Sequence, residues 1–314
     1  MGIKTFYLIL IGGILDCYAQ DKTIANPYFK TYDDKLIASL YYLDVSNNFQ
    51  FVNTNSNGTK TTLDLIPNRR EQIGLSVSYK FVDISYGFSP QFFDVNKDNG
   101  NSKLFNISTR FIVKQWMQTL SFINQKGFYI SEGATTVLFP NLRSTKIGGV
   151  TSYIFNPNFS FRTIANQKQW QTKSSGSFIP NFSFFYTNFD LNDGNPNSRS
   201  DIFEITVSPS YYYNFVINNK VIISAGLSIG GGISNIDGDV SRILESSGSL
   251  KIGYNTDSFY TFCNVNYIAF LQNSEAKIQL NDNVSSLNAT LGYRFNPPRK
   301  LKEYYDKSAK KIGL

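Results

Sequence analysis

Between Ile202 and Phe215 apolar and polar residues follow a period of two. Phe203, Ile205, Val207, Tyr211, Tyr213 and Phe215 fall on one side, and Glu204, Thr206, Ser208, Ser210 and Asn214 on the other. Successive side chains of a β-strand point to opposite faces, so this segment is a ribbon with one apolar and one polar face. Ile73, Leu75, Val77, Tyr79 and Phe81 repeat the pattern, and the phase restarts at once with Val82, Ile84, Tyr86 and Phe88, which predicts a hairpin with a very short turn. Phe105, Ile107, Phe111 and Val113, a turn near Lys114 and Gln115, and a strand from Trp116 to Phe122 predict another. Further strands are expected over residues 36–43, 144–154, 159–166, 177–188, 201–215, 220–230, 246–254, 258–270 and 286–295.

Tight links such as Asn218-Asn219 and Asn255-Thr256-Asp257 alternate with long polar stretches at residues 91–102, 190–200, 234–241 and 272–285. Outer-membrane barrels have short periplasmic turns and long external loops, and counting back from Phe295 puts the last three long stretches outside. The forward strand list is odd in number, whereas a single-chain barrel of this kind is even. About 12 strands are therefore expected, with segment 159–166 not spanning, or about 14 if a strand was missed.

A soluble β-sandwich also alternates. Aromatic usage separates the two: the chain holds 20 Tyr and 27 Phe, many near strand ends, as in Tyr41-Tyr42, Phe184-Phe185-Tyr186 and Tyr211-Tyr212-Tyr213. Rings with an apolar body and a polar edge suit a membrane interface. No stretch beyond the first residues approaches the ~20 apolar residues of a spanning helix. The expected fold is all-β, an antiparallel transmembrane β-barrel with a short basic C-terminal tail.

Residues 1–19 carry Lys4, an apolar run from Phe6 to Leu15 and the cleavage-site candidate Cys17-Tyr18-Ala19, the pattern of a secretory signal peptide. Acylation of Cys17 would need a small residue before it, and Asp16 stands there. Cleavage leaves Cys263 as the single cysteine, so no internal disulfide forms, and Cys263 is expected to be a buried thiol on an apolar face. The expected division is a signal peptide at 1–19, a periplasmic segment at 20–35, the barrel at 36–295 and a basic periplasmic tail at 296–314. Of the net charge of +7, the tail supplies +4, six cations against Glu303 and Asp306. No global basic stripe remains for nucleic acid. Pro297-Pro298 ends strand pairing, and the tail beyond is either a short helix or disordered.

The words Ile66-Pro67-Asn68, the strand Ile73 to Lys80, Gln125 to Tyr129, Asn141-Leu142-Arg143 leading into Ile147-Gly148-Gly149, Tyr153 to Asn156, Phe161-Arg162 and Lys173 to Phe178 occur in this order. From Leu65 to about Tyr186 the chain thereby resembles the domain-of-unknown-function family 4421, Bacteroidetes-type outer-membrane β-barrel proteins. Ile66 departs from the family pattern, which more often has a basic residue there, and so does the mixed polar run at 166–173. The resemblance implies barrel fold and location, and brings no reaction.

The chain has no histidine. That removes the usual base of outer-membrane lipases, acyltransferases and omptin-type proteases, and one mature cysteine disfavours zinc. Gly230-Gly231-Gly232 ends a strand rather than opening a phosphate-binding helix. Asp- and Asn-rich loops at 94–100, 190–194 and 237–239 read as solvated turns, with Phe105 standing where a calcium loop needs its glutamate. No cofactor is expected. The cations Lys126, Arg143, Lys146, Arg162, Lys168 and Lys173 form the most informative cluster, and Arg162 would point into the lumen if its strand spans. Two readings stand: a lumenal ring of cations favouring anionic solutes, or cations paired with inward carboxylates such as Asp83 and Glu204 that plug the lumen. The functional expectation is a monomeric, non-enzymatic barrel, either a narrow channel or a structural surface protein. Its partners would be membrane lipid, lipopolysaccharide and the barrel-insertion machinery. A barrel holding a lipid or glycan against Trp116 or Trp170, and a histidine-free enzyme, are the alternatives.

Overall fold

The computed structural model describes residues 26–311 apart from 55–56, 58, 69, 81, 94–102, 133–134, 166–167, 191–197 and 273–277. The expected signal segment with Cys17, and the whole loop at 94–100, lie outside the described residues. Strand β1 (Phe29–Thr31) precedes β2 (Leu36–Thr54), β3 (Lys60–Pro67), β4 (Arg70–Tyr79), β5 (Val82–Phe88), β6 (Lys103–Val113), β7 (Trp116–Glu132) and β8 (Thr135–Tyr153). A short helix α1 (Arg162–Ala165) and β9 (Gln169–Gln171) follow. Then come β10 (Ser175–Asp190), β11 (Arg199–Ile217), β12 (Val221–Ile236), β13 (Asp239–Asn255), β14 (Phe259–Gln272), β15 (Ile278–Phe295) and helix α2 (Arg299–Lys311).

Ten strands close a ring, in the order β15, β14, β13, β12, β11, β10, β8, β7, β3, β2, with β2 rejoining β15 from Leu36↔Phe295 to Asn53↔Ile278. The pairings are antiparallel, and closure leaves no open edge among these ten strands. Three strands hang on the ring: β4 on β2, β5 on β4, and β6 on β7. A ring of ten replaces the expected 12 or 14. Segment 159–166 is not a strand. Asn158 N–H bonds the Asn156 side chain, a turn that ends β8's course, and Phe159 and Phe161 are buried inside the barrel rather than alternating along a wall.

β3 and β4 lie end to end along β2, with Phe49↔Leu65 followed by Val45↔Arg70, one residue more on the β3–β4 side. The bulge falls at Pro67-Asn68, where proline offers no ladder N–H. There the outer partner changes, from β7 alongside β3 to β5 alongside β4.

Tight turns gather at one end, here the basal end. Lys80, Lys114, Asn218 and Asn219 take positive φ there (51° to 56°), as two-residue hairpins require. At the opposite, distal end Asp237 and Gly238 make another such turn (φ 51° and 102°), so the long loop expected at 234–241 is a two-residue link. Strands β2, β8 and β11 are 19 residues long, well beyond the ~9–11 that cross a bilayer. Their basal parts face outward with apolar residues such as Val207 and Phe215; their distal parts face outward mostly with polar ones, with Val137 and Leu138 on β8 as exposed exceptions. Gln50 bonds Asp64, Asn281 bonds Gln50, and Asp201 accepts from Tyr186 and Asn188 there. Alternation fades where the strands leave the apolar belt, which is why the sequence predicts several strands too short.

Cys263 lies on the predicted apolar face, but that face is the outer surface, so the thiol is exposed rather than buried. The tail forms α2, and Tyr305 packs edge-on against Tyr79, ring centroids 5.5 Å apart.

Candidate functional site

The candidate site is the lumen, whose floor and walls follow from strand parity. On β11 Ile202, Glu204, Thr206, Ser208, Ser210 and Asn214 are buried inside while Phe203, Ile205, Val207, Tyr211, Tyr213 and Phe215 are exposed outside. The polar face read from the sequence is thus the lumenal face.

At the distal end the lumen is apolar. Phe49, Leu65, Phe128, Leu142, Phe189, Ile202 and Leu280 form one buried cluster. Phe49 on β2 meets Phe189 on β10, centroids 4.3 Å apart, although several strands separate them around the ring. Rings from facing walls therefore fill this mouth. Apolar inside and polar outside is the pattern of a water-surrounded barrel, the reverse of the basal part.

Below it lies an ionic layer. Lys146 on β8 pairs with Asp282 on β15 and, at 3.3 Å, with Glu204 on β11. All three side chains are 3% exposed, and the ammonium also sits 5.0 Å and 4.7 Å from the ring centres of Phe185 and Phe270. Such burial is tolerable only because every charge has partners: removing a charge from water costs several kcal/mol (roughly) that its neighbours must offset. Glu245 on β13 accepts from Thr206 and, at 2.9 Å, from Ser208.

The basal lumen holds a plug made of residues 26–35 together with residues 154–165 and 168–174. β1 pairs with β9, and the Tyr32 and Thr172 amides bond across the segments to Lys168 O and Tyr28 O. Trp170, 1% exposed, packs with Tyr32 and Ile222 and donates its indole N–H to Asn219 O in the basal turn. Lys251 on β13 is fully buried; its Nζ donates to Thr163 O and Ile164 O of α1 (2.7 and 2.9 Å) and lies 3.9 Å from the Phe262 ring centre. Asn214 donates to Ser160 O and Gln171 Oε1, tying the plug to β11. At the basal rim Lys30 donates to Asp257 at 2.5 Å, a hydrogen bond that raises the ammonium and lowers the carboxyl from their ordinary pKa values.

Of the candidates read from the sequence, Lys146 and Glu204 meet in the lumen. Arg162 stands at the start of α1 in the plug and donates to Ile112 O at 2.6 Å, not on a spanning strand. Lys126 and Arg143 pair across β7 and β8 and face outward in the distal part, because Leu142, Ser144 and Lys146 take the inward positions. Lys173 is exposed beside the Tyr28 ring. A lumenal ring of cations therefore does not form. Asp83 lies on β5, and its side chain is outside the described part of the structure. Trp170 is buried in the plug and Trp116 faces outward against Tyr153, so neither forms a stacking platform in the lumen. Sequence reading missed Asp282, Glu245, Lys251 and Arg110. Their parity was a usable signal: Lys251 lies between outward Leu250 and Ile252, and Arg110 is out of phase with Phe105, Ile107 and Phe111. Among the described residues no group of three or more His, Cys, Asp or Glu is arranged to hold a metal ion.

No curated protein matches this chain in sequence. Among solved structures, the outer membrane protease OmpT from Escherichia coli is similar at 8% identity and a TM-score of 0.42, over 86% of this chain and 100% of that one. An outer membrane channel from Pseudomonas putida F1 (COG4313) is similar at 10% identity and a TM-score of 0.34, over 87% and 100%. The β domain of the Bordetella autotransporter BrkA is similar at 9% identity and a TM-score of 0.37, over 81% and 99%. A family model matches residues 20–295, and the chain belongs to that family, the Domain of unknown function (DUF4421).

Proposed function

We propose that this protein is a monomeric outer-membrane β-barrel without enzymatic activity whose lumen is closed, so that it serves as a structural surface protein rather than an open pore. The observation that carries this is the pairing of Lys146 with both Glu204 and Asp282 across the lumen, between an apolar distal cluster and a basal plug. Cations engaged with carboxylates do not line a path for anions. Membrane placement is supported by the apolar outward face of the basal strands and by the signal-peptide pattern. The polar distal surface would meet lipopolysaccharide, and β15 would be read by the insertion machinery. The absence of histidine supports a non-enzymatic role.

Planar-bilayer recording of the purified full chain tests this. The expected result is no stepwise conductance at either polarity; reproducible steps, with or without anion preference, would reverse the reading to a narrow channel.

A further inference from the structure

The wall is interrupted between β5 and β6. Among the described residues no pairing joins these two strands; β5 pairs only with β4, and β6 only with β7. The gap begins where the bulge at Pro67-Asn68 sends β3 to β7 and β4 to β5, and it ends basally at the hairpin turns beside Lys80 and Lys114.

Inward side chains beside the gap are reachable. Ser85, Ser108 and Arg110 face inward by parity, yet all three are exposed, whereas Ser208 and Ser210 in the intact wall are buried. Tyr41 leans toward the same gap over Gly74 and Gly87, where any Cβ would collide with its ring. Arg110 differs from the other inward cations. Lys146 has two carboxylates and Lys251 two carbonyls, but Arg110 has Thr119 Oγ1, at 2.9 Å from Nε, the Phe161 ring, 5.2 Å away, and the nearby phenol of Tyr212, which packs on the same ring. Its two terminal nitrogens donate to none of the described residues, and no described carboxylate pairs with it. Outside, the edges carry exposed Tyr86 and Phe88 on β5 and Phe105 and Ile107 on β6. Arg110 lies four residues before the Lys114 turn, about 13 Å along a tilted strand and so roughly 10 Å above the basal rim, within the basal leaflet.

We propose that this gap is a lateral binding cleft for an anionic phospholipid of the basal leaflet. The phosphate enters sideways and meets the free fork of Arg110, while the acyl chains stay outside against Tyr86, Phe88, Phe105 and Ile107. Guanidinium suits this task because its paired donors match a phosphate. The assignment rests on the membrane-barrel reading but not on the closed lumen.

The test is native mass spectrometry of the full chain, folded in detergent and offered equal phosphatidylglycerol and phosphatidylcholine, with folding verified by heat-modifiable gel mobility. Wild type should retain one phosphatidylglycerol in preference to phosphatidylcholine. Arg110→Gln should weaken that retention about tenfold or more; Arg110→Lys should recover part of it, and the outward Arg143→Gln should leave it unchanged. The proposal is overturned by equal retention of the two lipids in wild type, by undiminished retention in folded Arg110→Gln, or by displacement of the lipid by inorganic phosphate alone. Conductance steps from the same preparation would overturn the closed lumen and leave this cleft standing.

Discussion

Lys146 shows how much a single buried charge organises. Its ammonium is shared by Asp282 and Glu204 from two other strands, so deleting it leaves two carboxylates facing each other without water. Lys146→Ala is therefore expected to destabilise the barrel by about 3–5 kcal/mol. The triple variant Lys146→Met, Glu204→Gln, Asp282→Asn should recover most of that loss, since neutral groups carry no ionic desolvation penalty. Urea unfolding in detergent, followed by loss of the heat-modifiable gel band, checks both; a Lys146→Ala protein as stable as wild type would show the triad to be inert. At this scale the sequence placed Glu204 on the lumenal face, because parity is a local property. The sequence offered Lys146 among its candidate partners, but Asp282 was not readable: it is 78 residues away in a strand whose distal half lacks clean alternation.

The plug is the element on which strand logic fails. Residues 154–165 and 168–174 contain Phe159 and Phe161 at strand-like spacing and the apolar Trp170, yet they fold inside the barrel, held through side chains of β11 and β13. Trp170→Ala would remove a fully buried ring worth about 3–5 kcal/mol, but the loss should fall on the plug alone, because the ring of strands closes without it. Hydrogen exchange is expected to accelerate at the Tyr32 and Thr172 amides, which join the plug segments, while the β11–β12 ladder keeps its protection. Uniform acceleration across both would mean that the plug and wall unfold as one unit. The bulge at Pro67-Asn68 is an element-scale feature of the same kind: proline was visible in the sequence, but the change of neighbour it permits was not.

Over the whole molecule the polarity of the wall inverts along its axis, apolar outside at the basal part and apolar inside at the distal part. A charge placed on the outward face should therefore be penalised by depth. Val207→Arg, in the lipid belt, is expected to cost about 2–4 kcal/mol, and Val240→Arg, at the distal hairpin, about 0–1. Equilibrium unfolding in lipid vesicles measures both, and equal costs would place the two positions at one depth. The sequence by itself determined the strands of the lipid belt, their inward and outward faces and the tight basal turns, since period-two alternation and αL-tolerant residues act over a few positions. Only the tertiary structure decided the number of strands in the ring, the inward folding of 154–165 and 168–174, the pairing of Lys146 and the gap beside Arg110. Those depend on which distant strands become neighbours, and that is settled by backbone pairing between strands far apart in sequence, which closes the ring of ten and leaves the facing edges of β5 and β6 unpaired among the described residues.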